Sequence, residues 1–397
     1  MIVNKFKKFD NFINYYLIFV CLSSIYFISK TYLSGSNNSI AEWLINYQGG
    51  FVRRGLLGEI FTQVSLFTEI PIRRVILYFL YFIFIIYYSL IFIFVKDLEK
   101  NYFIILSLFS PLLFIWPIAE REALGRKDIL IPLFFIVYCM IYNRLNFFNL
   151  SILLLLIYIS LILIHEVAIF YLPYFYAILF FKIKDINFKK IIILIFISII
   201  FLILIYLLLD LNTSQNNINL MCDHMKNVLK DKCGLGAYVL NRSLADNIAE
   251  LNPNFLHLLR NFFIFLIGYI SLIFLISVSH FNTLNKNFLS NYFNFKILIL
   301  LLFIPTLVPF FIAVDWGRWF NLSFSMMIFF YLFCLKNKKI IIFDKNEIYE
   351  FFSNFFDKKL YFVLAILLLC FSWSPKSVYH EDIGSIPIYR IIVKIIN

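Results

Sequence analysis

Long apolar runs, bounded by Lys, Asn and Asp, recur along the whole of this 397-residue chain. They constrain its fold more than any other feature. A helix needs about 20 apolar residues to cross a bilayer core roughly 30 Å thick, and residues 12–27, 75–95, 102–116, 129–142, 191–209, 257–278, 297–314, 319–335 and 360–371 read as crossings. Composition agrees: 62% of the residues are hydrophobic and 15% charged, against about 45–50% and about 25% in soluble proteins. An ordinary soluble enzyme, a disordered chain and a disulfide scaffold are excluded. The runs lack the period-2 pattern of a membrane β-barrel, so an all-α polytopic membrane protein is expected, with residues 1–397 forming one transmembrane domain. Heavy use of Phe, Ile, Lys, Asn and Tyr suggests an AT-rich bacterial coding sequence.

Residues 150–181 would measure about 48 Å as one helix, and their only ionisable residues are His165 and Glu166, with Pro173 beyond. Two short helices meeting at the outer side near His165-Glu166 are predicted instead. They return the chain to Lys182, Lys184, Lys189 and Lys190, which the positive-inside rule places in the cytoplasm. About eleven crossings follow, with the N-terminus inside and the C-terminus outside. The outer segments are then 34–74, 117–128, 210–255 and 315–318, with a C-terminal tail at 373–397.

This topology puts 17 of 24 Lys on the cytoplasmic side but 10 of 11 Arg outside or in the outer half, Arg144 being the exception. Lysine sets the orientation, and the arginines need another explanation. A guanidinium grips phosphate or carboxylate bidentately, so an anionic ligand is expected at the outer face. The net charge of +12 forms no basic stripe with interleaved aromatics, so nucleic acid is not expected. Cys21, Cys139, Cys334 and Cys370 lie in apolar runs, whereas Cys222 and Cys233 share an outer loop and are disulfide candidates. A zinc site with Asp223 and His224 lacks paired ligand spacing.

Four polar clusters fall on the outer side. Glu42-Trp43 precedes Tyr47-Gln48-Gly49-Gly50-Phe51-Val52-Arg53-Arg54-Gly55, where Gly49 and Gly50 would let backbone approach an anion that Arg53 and Arg54 attract. The plainer alternative is an interfacial turn. The second cluster is Glu120-Arg121-Glu122 with Arg126-Lys127-Asp128, which is either a solvated loop or a cavity lining. The third, His165-Glu166, must face protein or water at membrane depth, and both side chains can serve one site only if the helix ends there. It is not a zinc-protease motif, since Ile169 stands where a second His is needed. The fourth is Asp315-Trp316-Gly317-Arg318-Trp319, read either as an interfacial aromatic belt or as a sugar- and phosphate-binding segment.

Glu42, Asp128, His165, Glu166 and Asp315 are the candidate catalytic acids and bases, with Glu122 a further carboxylate on the same face. Arg53, Arg54, Arg126, Lys127 and Arg318 are candidate ligands of a diphosphate, with Trp316 and Trp319 against its glycan. The span number and the segments Gly49–Gly55, Arg126–Asp128, His165-Glu166 and Asp315–Trp319, about a tenth of the chain, resemble Wzy-type O-antigen or capsule polymerases and, more broadly, GT-C glycosyltransferases. The resemblance implies a GT-C-like helical bundle in the bacterial inner membrane with its active site on the periplasmic side. It implies polymerisation of undecaprenyl diphosphate-linked repeats and other polysaccharide-assembly proteins as partners; no cofactor is expected, and the Arg-rich face without Asp-x-Asp points to no metal. A GT-C enzyme would carry an acid in its first outer loop, for which Glu42 is the nearest match, although no Asp-x-Asp is present. A single-sugar transferase using a polyprenyl phosphate donor, and a flippase or transporter, are the alternatives. A transporter would show midplane charges and repeats, which this sequence lacks.

Overall fold

The computed structural model describes residues 3–33, 38–120, 122–183, 188–210, 213–233, 235–284, 288–342, 347–379 and 386–396; Arg121 lies outside them. The described chain is almost wholly helical. In order, its helices are α1 (Val3–Leu33), α2 (Asn38–Trp43), α3 (Leu56–Thr68), α4 (Ile72–Lys96), α5 (Tyr102–Leu108), α6 (Ile115–Ala119) and α7 (Leu130–Ile141). There follow α8 (Phe147–Ile164), α9 (Leu172–Phe180), α10 (Phe188–Asp210), α11 (Gln215–Asn227), α12 (Leu235–Tyr238) and α13 (Leu244–Ala249). The last are α14 (Phe255–Ser277), α15 (Phe288–Tyr292), α16 (Phe295–Phe303), α17 (Trp316–Lys336), α18 (Glu347–Phe356), α19 (Lys359–Cys370) and α20 (Pro387–Ile396). Among them α1, α4, α8, α10, α14 and α17 are long and apolar enough to cross a membrane. The polar residues that bound the apolar runs become helix caps. The side chains of Asn101, Asn146, Asn254 and Asn294 accept backbone N–H groups at the starts of α5, α8, α14 and α16, as Ser214 does for α11.

Contacts gather the chain into two compact units, one of residues 1–23, 88–121 and 251–397, the other of residues 24–87 and 122–250. In the first, α17 is buried along nearly all its length. At one end of this unit Lys336 donates to the Phe94 carbonyl at 2.8 Å, and the Tyr102 hydroxyl bonds Asp357 at 2.6 Å. The strands β1 (Ser279–Phe281) and β2 (Ile340–Ile342) pair antiparallel there, Ser279 facing Ile342.

The expected crossing at 102–116 is not one helix. Helix α5 stops at Leu108, just before Pro111, whose ring has no N–H to continue it. The carbonyls of Leu112 and Leu113 beyond the break accept from the Asn321 amide at 2.6 and 2.9 Å, so the interrupted ladder is satisfied. Likewise 297–314 divides into α16 and a 3-10 segment, Ile304–Phe311, that carries Pro305 and Pro309.

At the other end of this unit the tail after α19 folds back over the start of α17. Gly317 donates its backbone N–H to the Ser377 carbonyl, and a Cβ there would lie 2.1 Å from the Lys376 carbonyl oxygen, so only glycine admits the tail this closely. The Trp116 indole donates to the Pro375 carbonyl at 2.9 Å. On α20, Arg390 is buried against Glu120 at 3.0 Å and also donates to the carbonyls of Ser374 and Pro375.

In the second unit the chain reverses at His165, as the sequence predicts. Helix α8 ends there with the residue extended (φ −160°, ψ 108°), a 3-10 segment Glu166–Tyr171 follows, and Pro173 sits in the first turn of α9. The reversal sets Phe175 of α9 edge-on to Tyr158 of α8, ring centres 4.9 Å apart. Helix α7 lies alongside both, its Tyr138 hydroxyl on the Leu150 carbonyl and that of Tyr142 on the Phe181 carbonyl. One end of this three-helix group therefore holds residues 142–150 and 181, and the opposite end holds 128 and 165.

Removing one member of a buried ion pair leaves its partner desolvated and costs about 3–5 kcal/mol, whereas an apolar replacement of both costs far less. Arg390→Met is accordingly expected to destabilise the detergent-purified protein by about 3 kcal/mol or more. Denaturant unfolding of that variant and of Arg390→Met with Glu120→Met checks it, the double variant recovering most of the loss.

Candidate active site

Asp128 opens the turn that leads into α7 and His165 closes α8, so the antiparallel packing of these helices brings the two side chains together. His165 Nε2 lies 3.0 Å from Asp128 Oδ1, and the imidazole is almost fully buried. Because the helix ends at His165, Glu166 can share the same site, its Oε2 lying 3.8 Å from His165 Nδ1. Both Glu166 oxygens accept from Arg54 Nε, at 2.9 and 2.8 Å. Arg54 stands in a left-handed backbone conformation (φ 64°), and its carbonyl accepts from Lys127 Nζ at 2.7 Å. Lys127 precedes Asp128 in sequence. Three clusters far apart in the chain thus close a ring: Lys127 to Arg54, Arg54 to Glu166, His165 to Asp128, and Asp128 back to Lys127 through the backbone.

The remaining polar residues of this unit brace that ring. Arg126 bonds Glu42 Oε1 at 3.0 Å and the Glu122 carbonyl at 2.6 Å, and the Trp43 indole donates to the Gly125 carbonyl at 2.6 Å. Helix α2 and the loop 122–128 are thereby zipped together. Lys127 is 0% exposed, with its ammonium 5.9 Å from the Trp43 ring centre. Burial pushes that ammonium down to about 7, against the opposing pull of Glu42. It is a buried brace on the Arg54 turn rather than an open ligand contact.

Gly49 and Gly50 serve a different end from the one expected. A Cβ on Gly49 would lie 2.0 Å from the Asn217 carbonyl oxygen, so the close approach is to α11 and not to a ligand. Gly50 adopts φ +115°, which a side chain would strain. The loop packs beneath α11 and α12 on a small apolar core of Ile45, Val52, Ile218, Met221, Ala237 and Leu240. Cys222 and Cys233 form the expected disulfide against it. Arg53 donates to the carbonyls of Leu240 and Arg242 at 3.2 and 3.5 Å. Its Nε is buried with no hydrogen-bond partner, and no carboxylate among the described residues lies within ion-pair distance. It contrasts with Arg54 and Arg126, each of which a carboxylate already neutralises.

In the first unit Arg318 bonds Asp315 at 2.7 Å and lies over the Trp319 ring, 4.8 Å from its centre. Trp316 and Trp319 are 8% and 2% exposed. Trp316 packs on Tyr379 of the tail and its indole donates to the Phe310 carbonyl. Buried so, the two indoles offer no open face for a sugar, and the aromatic-belt reading fails for the same reason. Sequence reasoning missed Arg390, the buried partner of Glu120. Its signal was the single arginine of the tail, flanked by Ile386–Tyr389 and Ile391–Val393. No group of three or more His, Cys, Asp or Glu among the described residues could hold a metal ion. No protein-family model, curated protein or solved structure matches this chain.

The unfolded chain holds a proton on Lys127 up to its ordinary 10.5, the folded one only to about 7. Between those values the unfolded state binds more protons, so this residue's contribution to stability rises with pH. Thermal unfolding of wild type and Lys127→Met at pH 6.5 and 9 is expected to show the difference moving in favour of wild type at the higher pH.

Proposed function

We propose that the chain is a glycosyltransferase of the bacterial inner membrane that polymerises polyprenyl diphosphate-linked oligosaccharide repeats on the periplasmic face. The reading takes the six long helices as six crossings and the helical segments 102–119, 130–141, 166–180, 295–311 and 359–370 as five more. It keeps the N-terminus in the cytoplasm and the C-terminus outside. The gathering of 94, 102, 279–281, 336, 340–342 and 357 at one end of the first unit, away from 120, 315–317 and 374–377, supports that alternation.

The observation that carries the proposal is the buried Asp128–His165 pair beside the Arg54–Glu166 fork. Asp128 can only accept, so it orients the imidazole through Nε2 and turns Nδ1, 3.8 Å from Glu166, to the role of proton acceptor in the scheme. In the proposed reaction Nδ1 removes the proton of an acceptor hydroxyl as its oxygen attacks the anomeric carbon. The bond from that carbon to the lipid diphosphate breaks, and the diphosphate leaves with the electron pair. Arg53, which no carboxylate among the described residues neutralises, is the cation suited to that leaving group. Glu166 and Glu42, each held by an arginine, act in positioning. No cofactor or metal enters the scheme, and the activated donor supplies its energy.

The test is complementation of a strain lacking this gene, followed by electrophoresis of its lipid-linked glycan. Wild type is expected to restore a ladder of repeats. Asp128→Asn and His165→Ala, present at normal levels, are expected to reduce polymer by about 100-fold or more, the usual scale for general-base loss. A product longer by one sugar and still unpolymerised would mark a single-sugar transferase, and an unchanged glycan would remove the glycosyltransferase reading.

A further inference from the structure

The turn that carries Arg53 also presents an aromatic ring to the outside. Val52 goes into the small apolar core, and the residue before it, Phe51, is turned away and 53% exposed. Its ring does not hang free. It stacks on Tyr47 with centres 5.0 Å apart and planes 29° from parallel, and Tyr47 in turn rests against Gly55, where a Cβ would meet its ring. One face of Phe51 is therefore held in place while the other stays open.

A polar edge belongs to the same turn. Glu59 accepts from the Tyr47 backbone N–H at 3.0 Å, from Gln48 Nε2 at 2.8 Å and from Gln63 Nε2 at 2.7 Å. An ionised carboxylate can only accept, so both amides must turn their NH2 groups towards it. Each amide oxygen is then directed away from Glu59 and left to accept from a ligand hydroxyl, and both glutamines are exposed. An apolar ring backed by Tyr47, with oriented acceptors joined to the Tyr47 backbone through Glu59, is the chemistry of a sugar ring, whose C–H face is apolar and whose hydroxyls donate from its rim. An acyl chain would have no use for the acceptors.

We propose that Phe51, backed by Tyr47 and edged by Gln48 and Gln63, is a glycan-binding subsite that takes a pyranose of the lipid-linked repeat. This inference rests on the glycosyltransferase reading and adds to it the place where sugar, rather than diphosphate, is held. It moves the expected sugar-stacking role from the buried Trp316 and Trp319 to an exposed phenylalanine.

The experiment uses the full-length protein in lipid nanodiscs. Probes are the oligosaccharide released by mild acid from the repeat that accumulates in the deletion strain and, separately, undecaprenyl phosphate. Phe51→Ala is expected to weaken oligosaccharide binding about tenfold, a stacking contribution of about 1.4 kcal/mol. Phe51→Trp is expected to retain binding and to report it by a change in indole emission. Gln48→Ala with Gln63→Ala should weaken binding while undecaprenyl phosphate binding is kept. Equal oligosaccharide affinity in wild type and Phe51→Ala would overturn the subsite and leave the polymerase reading intact, provided wild type still makes the ladder. A Phe51→Trp signal with undecaprenyl phosphate and none with the oligosaccharide would assign the ring to lipid and overturn it too. A wild type that neither binds the oligosaccharide nor makes the ladder would overturn both.

Discussion

The ring from Lys127 through Arg54, Glu166, His165 and Asp128 is the arrangement on which the second unit depends. Each of its charges sits among apolar helices, where an uncompensated ion costs several kcal/mol. Compensation is possible only if residues 54, 127–128 and 165–166 meet, and they meet only if α8 stops at His165 and α7 starts at Asp128. Topology and electrostatics therefore specify each other. A chain that ran straight through 165 as one helix would bury a histidine and a glutamate in lipid with no cation in reach.

Outside the ring, the unit is built to keep one turn still. The disulfide between Cys222 and Cys233, the apolar cluster around Val52 and Met221, and the contact of Gly49 with α11 all bear on residues 45–55. That stretch carries Arg53 and Arg54, side by side but differently used: one is locked to Glu166, the other bonded only to carbonyls. The first unit treats its own polar segment in a similar way. There the tail lies over Asp315–Trp319, with Gly317, Trp316 and Glu120 receiving it. In both units a covering segment, and not the helices alone, sets the environment of the polar residues.

Much of this was legible in the sequence because it follows from hydrophobicity and charge. The run 150–181 is too long for one crossing and holds a charged pair at its middle, and those facts suffice to place the reversal at His165. The disulfide followed from two cysteines in one polar loop. Less legible were the breaks near Pro111 and Pro305, since an apolar run reads the same whether it is one helix or two, and only side chains such as Asn321 disclose where the freed carbonyls are satisfied. The glycines misled for a related reason. A paired glycine announces a close approach without naming what approaches, and here it is the chain's own α11. Tryptophan misled as well: its size suggested a sugar platform at 316 and 319, but a residue that large is also what fills a fold's interior.

The pairing of arginines bears directly on how an anion could bind. A diphosphate arriving at Arg54, Arg126 or Arg318 would compete with a carboxylate already in place, at 2.8–3.0 Å for Glu166 and Glu42 and 2.7 Å for Asp315. Displacing such a carboxylate leaves a partly buried negative charge without its partner, a cost that the new contact has to offset. Arg53 carries no such burden, because the carbonyls it bonds are neutral and one of its N–H groups is still unsatisfied. An arginine count therefore does not translate into a count of anion ligands. Among the described residues Arg54, Arg73, Arg126, Arg242, Arg318 and Arg390 are each held by a carboxylate, whereas Arg53 is bonded to carbonyls alone.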